Sequence, residues 1–321
     1  MRTLYCPIHE PGAYHAITRQ HKHGLRSAFE QRGPTLEWDY LDNDAHTRYQ
    51  GLLNRLEQFQ PDLLMLQIGA DTFTPEQLAA VRERHPALTI ANWCGDVYED
   101  LQTAPAMLAI LRHIDLQLVV NASVLPIYER EGIHAAFWPF GYETANAPLP
   151  DMPAHDVVYL GNAYSAHRHE LERILRELPY NVGIYGSGWQ RADGNTTYDF
   201  PAGEALYRNA KLTISDNQFP EARGYLSNRP FQAMAAGCFV LQQRVADLKA
   251  LTRLMSGVHY IQFDYLDGLT ALVDYWLAPE RDTARQAIAT KGQRFVSQYH
   301  SFEARVNELI AMLPRLQGVK A

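Results

Sequence analysis

Short β-rich runs alternate with helical patterns along the whole chain. Such alternation is typical of βαβ units, in which parallel strands are joined by helices. The predicted strands are Thr3–Ile8, Leu63–Ile68, Leu88–Trp93, Leu116–Asn121, Ala135–Trp138, Val157–Leu160, Val182–Tyr185, Leu212–Ser215, Phe239–Gln242 and His259–Phe263. The sequence therefore predicts an α/β protein with a parallel sheet in each half.

One helix start is marked clearly. Thr74 suits the N-cap, Pro75 the first helical position and Gln77 the third, which is the pattern of a capping box. We expect this helix to run from Pro75 to about Arg84. Two further amphipathic helices are expected over residues 279–297 and 301–316.

The predicted boundary between the two sheets lies at residues 147–153, where three prolines disfavour both helix and central strand. We therefore expect a first domain of residues 1–147, to which residues 301–321 return, and a second of residues 153–300. Ligands of open α/β sheets bind at the carboxyl ends of the strands. Two such edges facing each other would form a cleft for two substrates.

Composition excludes several classes of protein. The 321 residues carry a formal net charge of −7, and the excess of acidic residues lies in the first 150, which disfavours a polyanionic partner there. Apolar runs are far shorter than the roughly 18 residues of a membrane span. The apolar run at the N-terminus is also too short for a secretory signal, so we expect a cytoplasmic protein. Cys6, Cys94 and Cys238 lack the spacing of a disulfide framework or a zinc site.

The most informative stretch is residues 227–241. Ser227 or Asn228 is suited to cap a helix with a proline in its first turn, and Gly237 to end it before a buried strand. The free N–H groups of such a helix start, with the guanidinium of Arg229, would suit a pyrophosphate. A well-capped structural helix explains the same spacing equally well.

Three other motifs accompany this stretch, namely Tyr159–Asn162, His300–Arg305 and the region from Asn121 to Glu143. In order and spacing, these motifs resemble GT-B glycosyltransferases of the spore-maturation-protein (CgeB-like) type, most strongly from about residue 115 to 310. The resemblance implies two Rossmann-like domains and transfer of a sugar from a nucleoside-diphosphate sugar, commonly a UDP-sugar. It implies no essential metal and no cofactor, because the nucleotide sugar is a co-substrate.

The resemblance places the donor site in the second domain. Arg168 could neutralise the pyrophosphate, or it could be an exposed arginine on a helix face. Gly186 permits close backbone approach and Trp189 could border the base, although a plain turn would also account for the glycine. The donor-binding residues expected are Gly161, Asn162, Arg168, Gly186, Trp189, Ser227, Asn228, Phe231 and Gln232.

Gln232 departs from the family pattern. In related retaining enzymes this position is usually a glutamate that binds the donor ribose, and its partner glutamate, eight positions earlier, falls on Gly224. The carbonyl of a glutamine can still accept a hydrogen bond. The departure leaves the donor and the stereochemistry open, although the resemblance favours retention and does not strictly require a base.

The first domain is expected to hold the acceptor. Asp96, after the strand that ends near Trp93, is our first candidate for a base or an acceptor-orienting carboxylate, and Asp71 is the second. Each could instead be a capping or solvated loop residue. His15 and Lys22 belong to a basic cluster that could contact an anionic acceptor or form a solvated helix face. No histidine shows zinc-site spacing, so we expect no metal.

With Arg229 as the leaving-group stabiliser and Asp96 on the acceptor, the sequence favours a glycosyltransferase. Two alternatives remain open, a GT-B-fold nucleotide-sugar epimerase and a non-catalytic sugar-nucleotide-binding protein. The acceptor is also open and could be a glycan, a protein, a small molecule or a hydroxylated DNA base. The acidic first half disfavours duplex DNA.

Overall fold

The computed structural model describes residues 1–7, 24–38, 40, 45–97, 99–142, 148–194 and 200–317. The chain divides into two compact units. One comprises Met1–Pro139 together with Phe302–Ala321, and the other comprises Phe140–Ser301.

Each unit is built on one parallel sheet. In chain order the strands are β1 (Thr3–Cys6), β2 (Thr35–Glu37), β3 (Leu63–Leu66), β4 (Thr89–Cys94), β5 (Leu116–Val119), β6 (Ala135–Phe137), β7 (His155–Leu160), β8 (Val182–Tyr185), β9 (Ala210–Ser215), β10 (Phe239–Gln243) and β11 (Ile261–Phe263). Within the described residues, the first sheet has the order β2-β1-β3-β4-β5-β6 and the second the order β11-β10-β9-β7-β8. The predicted fold class, two Rossmann-like parallel-sheet domains, is confirmed.

Helices connect the strands. In chain order, the described helices are α1 (24–30), α2 (Ala45–Phe59), α3 (Pro75–Arg84), α4 (Glu99–Gln102), α5 (Pro105–Leu111), α6 (Leu125–Arg130), α7 (Ala166–Glu177), α8 (Phe200–Arg208), α9 (Asn228–Ala235), α10 (Leu248–Thr252), α11 (Leu269–Leu277), α12 (Asp282–Tyr299) and α13 (Phe302–Gln317). None of them, in the part of the chain that the structure describes, is long and apolar enough to span a membrane.

Local sequence explains where these elements begin and end. Thr74 accepts a hydrogen bond from the amide of Gln77 at 3.2 Å, and the Gln77 side chain accepts one from the amide of Thr74 at 3.0 Å, so the capping box starts α3 as predicted. The strand β3 is buried at all four positions, because helices cover both faces of a parallel sheet. The edge strand β2 was not predicted, since three half-buried residues carry too little periodicity.

The C-terminal helix α13 packs in the first unit. Trp138 donates from its indole nitrogen to the carbonyl of Arg305 at 3.0 Å, and Arg32 pairs with Glu303 at 3.0 Å. Val306 and Leu309 are fully buried. The return of the last helix to the first unit is therefore held by hydrogen bonding, charge and apolar burial together.

The strand order of each sheet reverses direction at one point. In the first sheet the chain passes from β1 to β2 on one side and then returns to β3 on the other. In the second it passes from β7 to β8 and returns to β9. At such a point the loops that leave neighbouring strands diverge and open a crevice, which is where open α/β sheets bind their ligands. The candidate positions are thus the carboxyl ends of β1 and β3, and those of β7 and β9.

Candidate functional site

The loops that follow β7 and β8 are joined by hydrogen bonds. The amide of Gly161 donates to the carbonyl of Tyr185 at 2.9 Å, and that of Ala163 donates to the carbonyl of Ser187 at 2.8 Å. The side-chain oxygen of Asn162 accepts from the amide of Ser187 at 2.9 Å. The turn at Gly161 and Asn162, expected from the sequence to contact the donor, is therefore fixed in place at the switch point of the second sheet.

Asp216, the first residue after β9, stands on the other side of this switch point and is almost fully buried. Its carboxylate accepts from the hydroxyl of Tyr159 at 2.6 Å and from Nε of Arg168 at 2.9 Å. Nη2 of Arg229 lies 4.0 Å from the same carboxylate. Burial opposes ionisation of Asp216, but the two guanidinium groups outweigh it, so the pKa of this carboxyl lies below its usual range.

Arg168 is a buried residue of this cluster. Besides the ion pair with Asp216, its Nη1 donates to the carbonyl of Asn162 at 2.6 Å. This corrects the alternative of an exposed arginine on a helix face, since the side chain is buried and engaged within the cluster. Its role in the structure is to tie the turn after β7 to the carboxylate after β9.

Unlike Arg168, Arg229 is partly exposed to solvent, with 19% of its side chain accessible. Its Nη1 donates to the carbonyl of Leu160 at 2.7 Å, and its Nε to the hydroxyl of Ser227 at 3.4 Å. Two guanidinium groups share the single carboxylate of Asp216, so a positive charge is left over. The arrangement presents this charge at the switch point, where it suits an anionic ligand.

A glycine at position 161 is required by this packing. A Cβ built on Gly161 would overlap Nη1 of Arg229 and would lie 2.9 Å from the Tyr159 hydroxyl. Any side chain at this position would therefore displace the guanidinium.

The helix α9 begins beside Arg229. Ser227 occupies the N-cap position, but its side chain makes no capping hydrogen bond to the helix and instead accepts from Arg229. Asn228 and Gln232 are half-buried on this helix. Gly224 has a left-handed backbone, with φ of 72°, and its amide donates to Ala246 at 2.7 Å. A glutamate in this backbone conformation would be strained.

Two aromatic residues expected to contact the donor are core residues instead. Phe231 is fully buried, with its ring centroid 5.0 Å from that of His300. Trp189 is buried as well, because its ring packs edge-on against Tyr159 at 5.2 Å and its indole nitrogen donates to the carbonyl of Gly161 at 2.8 Å. The expectation that these two rings lie exposed at the donor is therefore corrected, because both are packed in the core of the second unit. Gly186, the first residue after β8, has a φ of 137°, a backbone conformation that favours glycine.

The acceptor candidates lie in the first unit. Asp71 is exposed after β3, at the switch point of its sheet, whereas Asp96 is exposed after β4, one strand further along. The carbonyl of Asp96 accepts from the side chain of Gln102 at 2.6 Å. His15 and Lys22 lie outside the described residues. Among the residues that are described, no group of three or more His, Cys, Asp or Glu side chains could hold a metal ion.

The sequence analysis proposed Arg229 as a site residue and did not name Asp216. Asp71 and Asp96 were singled out as acidic residues within three residues of the end of a predicted strand, and Asp216, directly after Ser215, meets the same criterion. Its partner Arg168 is 48 residues away, so the ion pair itself left no local signal.

Comparison with known proteins identifies the fold. Residues 167–311 match the family model described as glycosyl transferase-like. The sequence matches none of the curated proteins with which it was compared.

Among solved structures, sucrose-phosphate synthase from Thermosynechococcus elongatus is 12% identical with a TM-score of 0.65, and the alignment covers 99% of each chain. Anabaena HepE in complex with UDP and glucose is 13% identical with a TM-score of 0.64, covering 98% of this chain and 100% of HepE. A glycosyltransferase from Rickettsia africae is 8% identical with a TM-score of 0.63, covering 98% of each chain. The chain therefore has the GT-B fold of glycosyltransferases, and its residues 167–311 are similar to the glycosyl transferase-like family.

Proposed function

We propose that the chain is a glycosyltransferase of the spore-maturation-protein type, which moves a sugar from a nucleoside-diphosphate sugar to an acceptor hydroxyl. The observation that carries this proposal is the partly exposed guanidinium of Arg229 at the switch point of the second sheet. In the proposal it binds the donor diphosphate beside Gly161 and Asn162. A UDP-sugar is favoured because the structural neighbour HepE is known in complex with UDP and with UDP-glucose.

The proposed chemistry places charge where the cluster can stabilise it. As the bond between C1 of the sugar and the diphosphate oxygen breaks, positive charge builds on the ring and negative charge on the leaving diphosphate. Arg229 is already held by Leu160 and lies beside Asp216, so it can meet this charge with little reorganisation. The acceptor oxygen forms the new bond to C1, and the nucleoside diphosphate leaves.

The first unit is proposed to hold the acceptor. Asp71 and Asp96 both stand at the carboxyl edge of its sheet and are exposed. In a retaining, metal-independent reaction the departing phosphate takes the acceptor proton, so either carboxylate would orient the hydroxyl. In an inverting reaction one of them would act as the base. NMR of the product anomer separates the two versions.

The first test is a screen of the purified protein against UDP-, GDP-, dTDP-, ADP- and CMP-sugars, with and without EDTA. We expect one nucleotide class to raise the melting temperature and EDTA to leave that shift unchanged. Release of free nucleotide on addition of candidate acceptors then reports turnover. If no nucleotide sugar raised the melting temperature, the proposed donor site would be wrong.

A second candidate is a non-catalytic nucleotide-sugar-binding protein. It is favoured by one observation, namely that neither Gly224 nor Gln232 supplies the glutamate usual in retaining relatives. This candidate requires a shift in melting temperature without nucleotide release from any donor and acceptor pair, whereas a transferase releases nucleotide.

Gly161→Ala is expected to weaken UDP binding about tenfold or more. The new methyl group would push aside the guanidinium of Arg229, and a charged hydrogen bond is worth about 1.5–3 kcal/mol. Gly268→Ala is the matched control, because a Cβ there meets nothing within 4 Å. Calorimetric titration with UDP measures both variants. Equal affinity of Gly161→Ala and the wild type would show that Arg229 does not contact the nucleotide.

A further inference from the structure

Tyr164 is an exposed aromatic residue beside the proposed donor site. It lies four residues after the end of β7, and 57% of its surface is exposed. Among the large apolar side chains of the described residues, the others that are exposed are Leu101, Tyr265 and Tyr275. What distinguishes Tyr164 from the other three is its place, because it alone follows β7, at the switch point of the second sheet.

The ring is exposed but held at both ends. Its hydroxyl lies 3.0 Å from the hydroxyl of Ser187, in the loop after β8, so the two form a hydrogen bond. Its amide donates to the carbonyl of Asn162 at 3.1 Å, and the neighbouring Ala163 amide donates to the carbonyl of Ser187 at 2.8 Å. The loop that carries Ser187 is itself shaped by the left-handed backbone of Gly188, with φ of 81°. The side chain is therefore already ordered, and a ligand that packs on its face loses little entropy on binding.

The separation of Tyr164 from Arg229 is within the length of a nucleotide. Gly161 touches Arg229, and three residues of extended chain reach at most about 11 Å, so the tyrosine backbone lies within that distance of the Gly161 backbone. The ribose and phosphates of a nucleotide separate its base from its terminal phosphate by a span of the same order. A flat ring at one end and a positive charge at the other match a base and a diphosphate.

Resting on the proposed function, we propose that Tyr164 is the surface on which the donor nucleobase stacks. It takes the place expected from the sequence for Trp189, which is buried below and engaged with Gly161. Stacking on an aromatic side chain accepts any base, because every base has a π-face. The hydrogen bond to Ser187 fixes the ring, and the phosphates are bound by Arg229 independently of it.

Calorimetric titration of Tyr164→Ala with UDP, GDP, ADP and inorganic pyrophosphate tests this role. We expect affinity for the best-binding nucleotide to fall about 5- to 150-fold, which corresponds to the stacking of one base. Affinity for pyrophosphate should stay within about twofold of the wild type. Tyr164→Phe keeps the ring and should lose less than Tyr164→Ala, as should Ser187→Ala. Tyr265→Ala is the matched control, because Tyr265 is exposed in the same unit but follows β11, at the far edge of the sheet.

The outcomes separate this inference from the proposed function. If the wild type binds a nucleotide and Tyr164→Ala binds it equally well, the stacking role is wrong and the donor site stands. If Tyr164→Ala loses pyrophosphate and nucleotide equally, Tyr164 supports the phosphate site instead, and the stacking role is again wrong. If the wild type binds no nucleotide at all, the proposed function fails, and the inference fails with it.

Discussion

Replacing Arg229 with alanine is expected to lower kcat/KM for the nucleotide sugar by about 10²- to 10³-fold. Loss of one preorganised donor to a developing negative charge has an effect of this size in comparable sites. Arg229 is such a donor, because its guanidinium is held by the carbonyl of Leu160, lies beside Asp216 and is still partly exposed. Arg229→Lys keeps the charge but not the planar fork, so it should restore only part of the rate.

Arg173→Ala serves as the control for this experiment. Arg173 pairs with Glu170 and Glu177 on the exposed surface of α7, where ion pairs contribute little. Its kcat/KM should match that of the wild type. If Arg229→Ala turned over the donor as fast as Arg173→Ala, Arg229 would not stabilise the leaving group.

Asp216→Ala is expected to lower the free energy of unfolding by about 3–5 kcal/mol. Removing one partner of a buried ion pair leaves an uncompensated charge, and here Arg168 stays buried without its carboxylate. Asp216→Asn retains an acceptor for the Tyr159 hydroxyl but not the charge, so it should lie between alanine and wild type. Urea denaturation measures all three proteins.

Asp264→Ala is the matched control, because Asp264 lies 4.0 Å from Arg244 and both side chains are more than half exposed. Its effect should stay within about 1 kcal/mol. An equal effect of the two alanine variants would show that Asp216 is not the anchor of the cluster.

The contribution of Asp216 should also depend on pH. Because its pKa is lower in the folded protein, the stabilisation is fully present above the unfolded value of about 3.9 and is lost as pH falls through the lowered folded value. The stability difference between wild type and Asp216→Ala should therefore stay constant from about pH 7 to pH 5 and narrow below about pH 4. A difference that already narrows near pH 6 would contradict the ion pair.

Strand positions could be predicted because the apolar runs of a parallel sheet are local. All ten predicted strands are present, each within two residues of its expected bounds, and the capping box fixed the start of α3. Arg229 could be proposed from the sequence because it lies within one short motif, residues 227–241. The three-residue strand β2 has no comparable local signal.

The rest of the site depends on contacts between distant parts of the chain. Arg168 could not be identified as a buried residue without knowing that Asp216, 48 residues later, would lie against it. The same holds for the aromatic residues. Trp189 and Phe231 are buried and Tyr164 is exposed, and the residue types alone do not indicate which of the three is exposed. Burial is decided by which loops meet at the switch point.

The most direct test of the donor site is a crystal structure of the protein with UDP bound. We expect the diphosphate oxygens within hydrogen-bonding distance of the Arg229 guanidinium, beside the turn at Gly161 and Asn162 at the switch point between β7 and β9. A diphosphate bound at any other edge of either sheet, or bound here without contact to Arg229, would contradict the account.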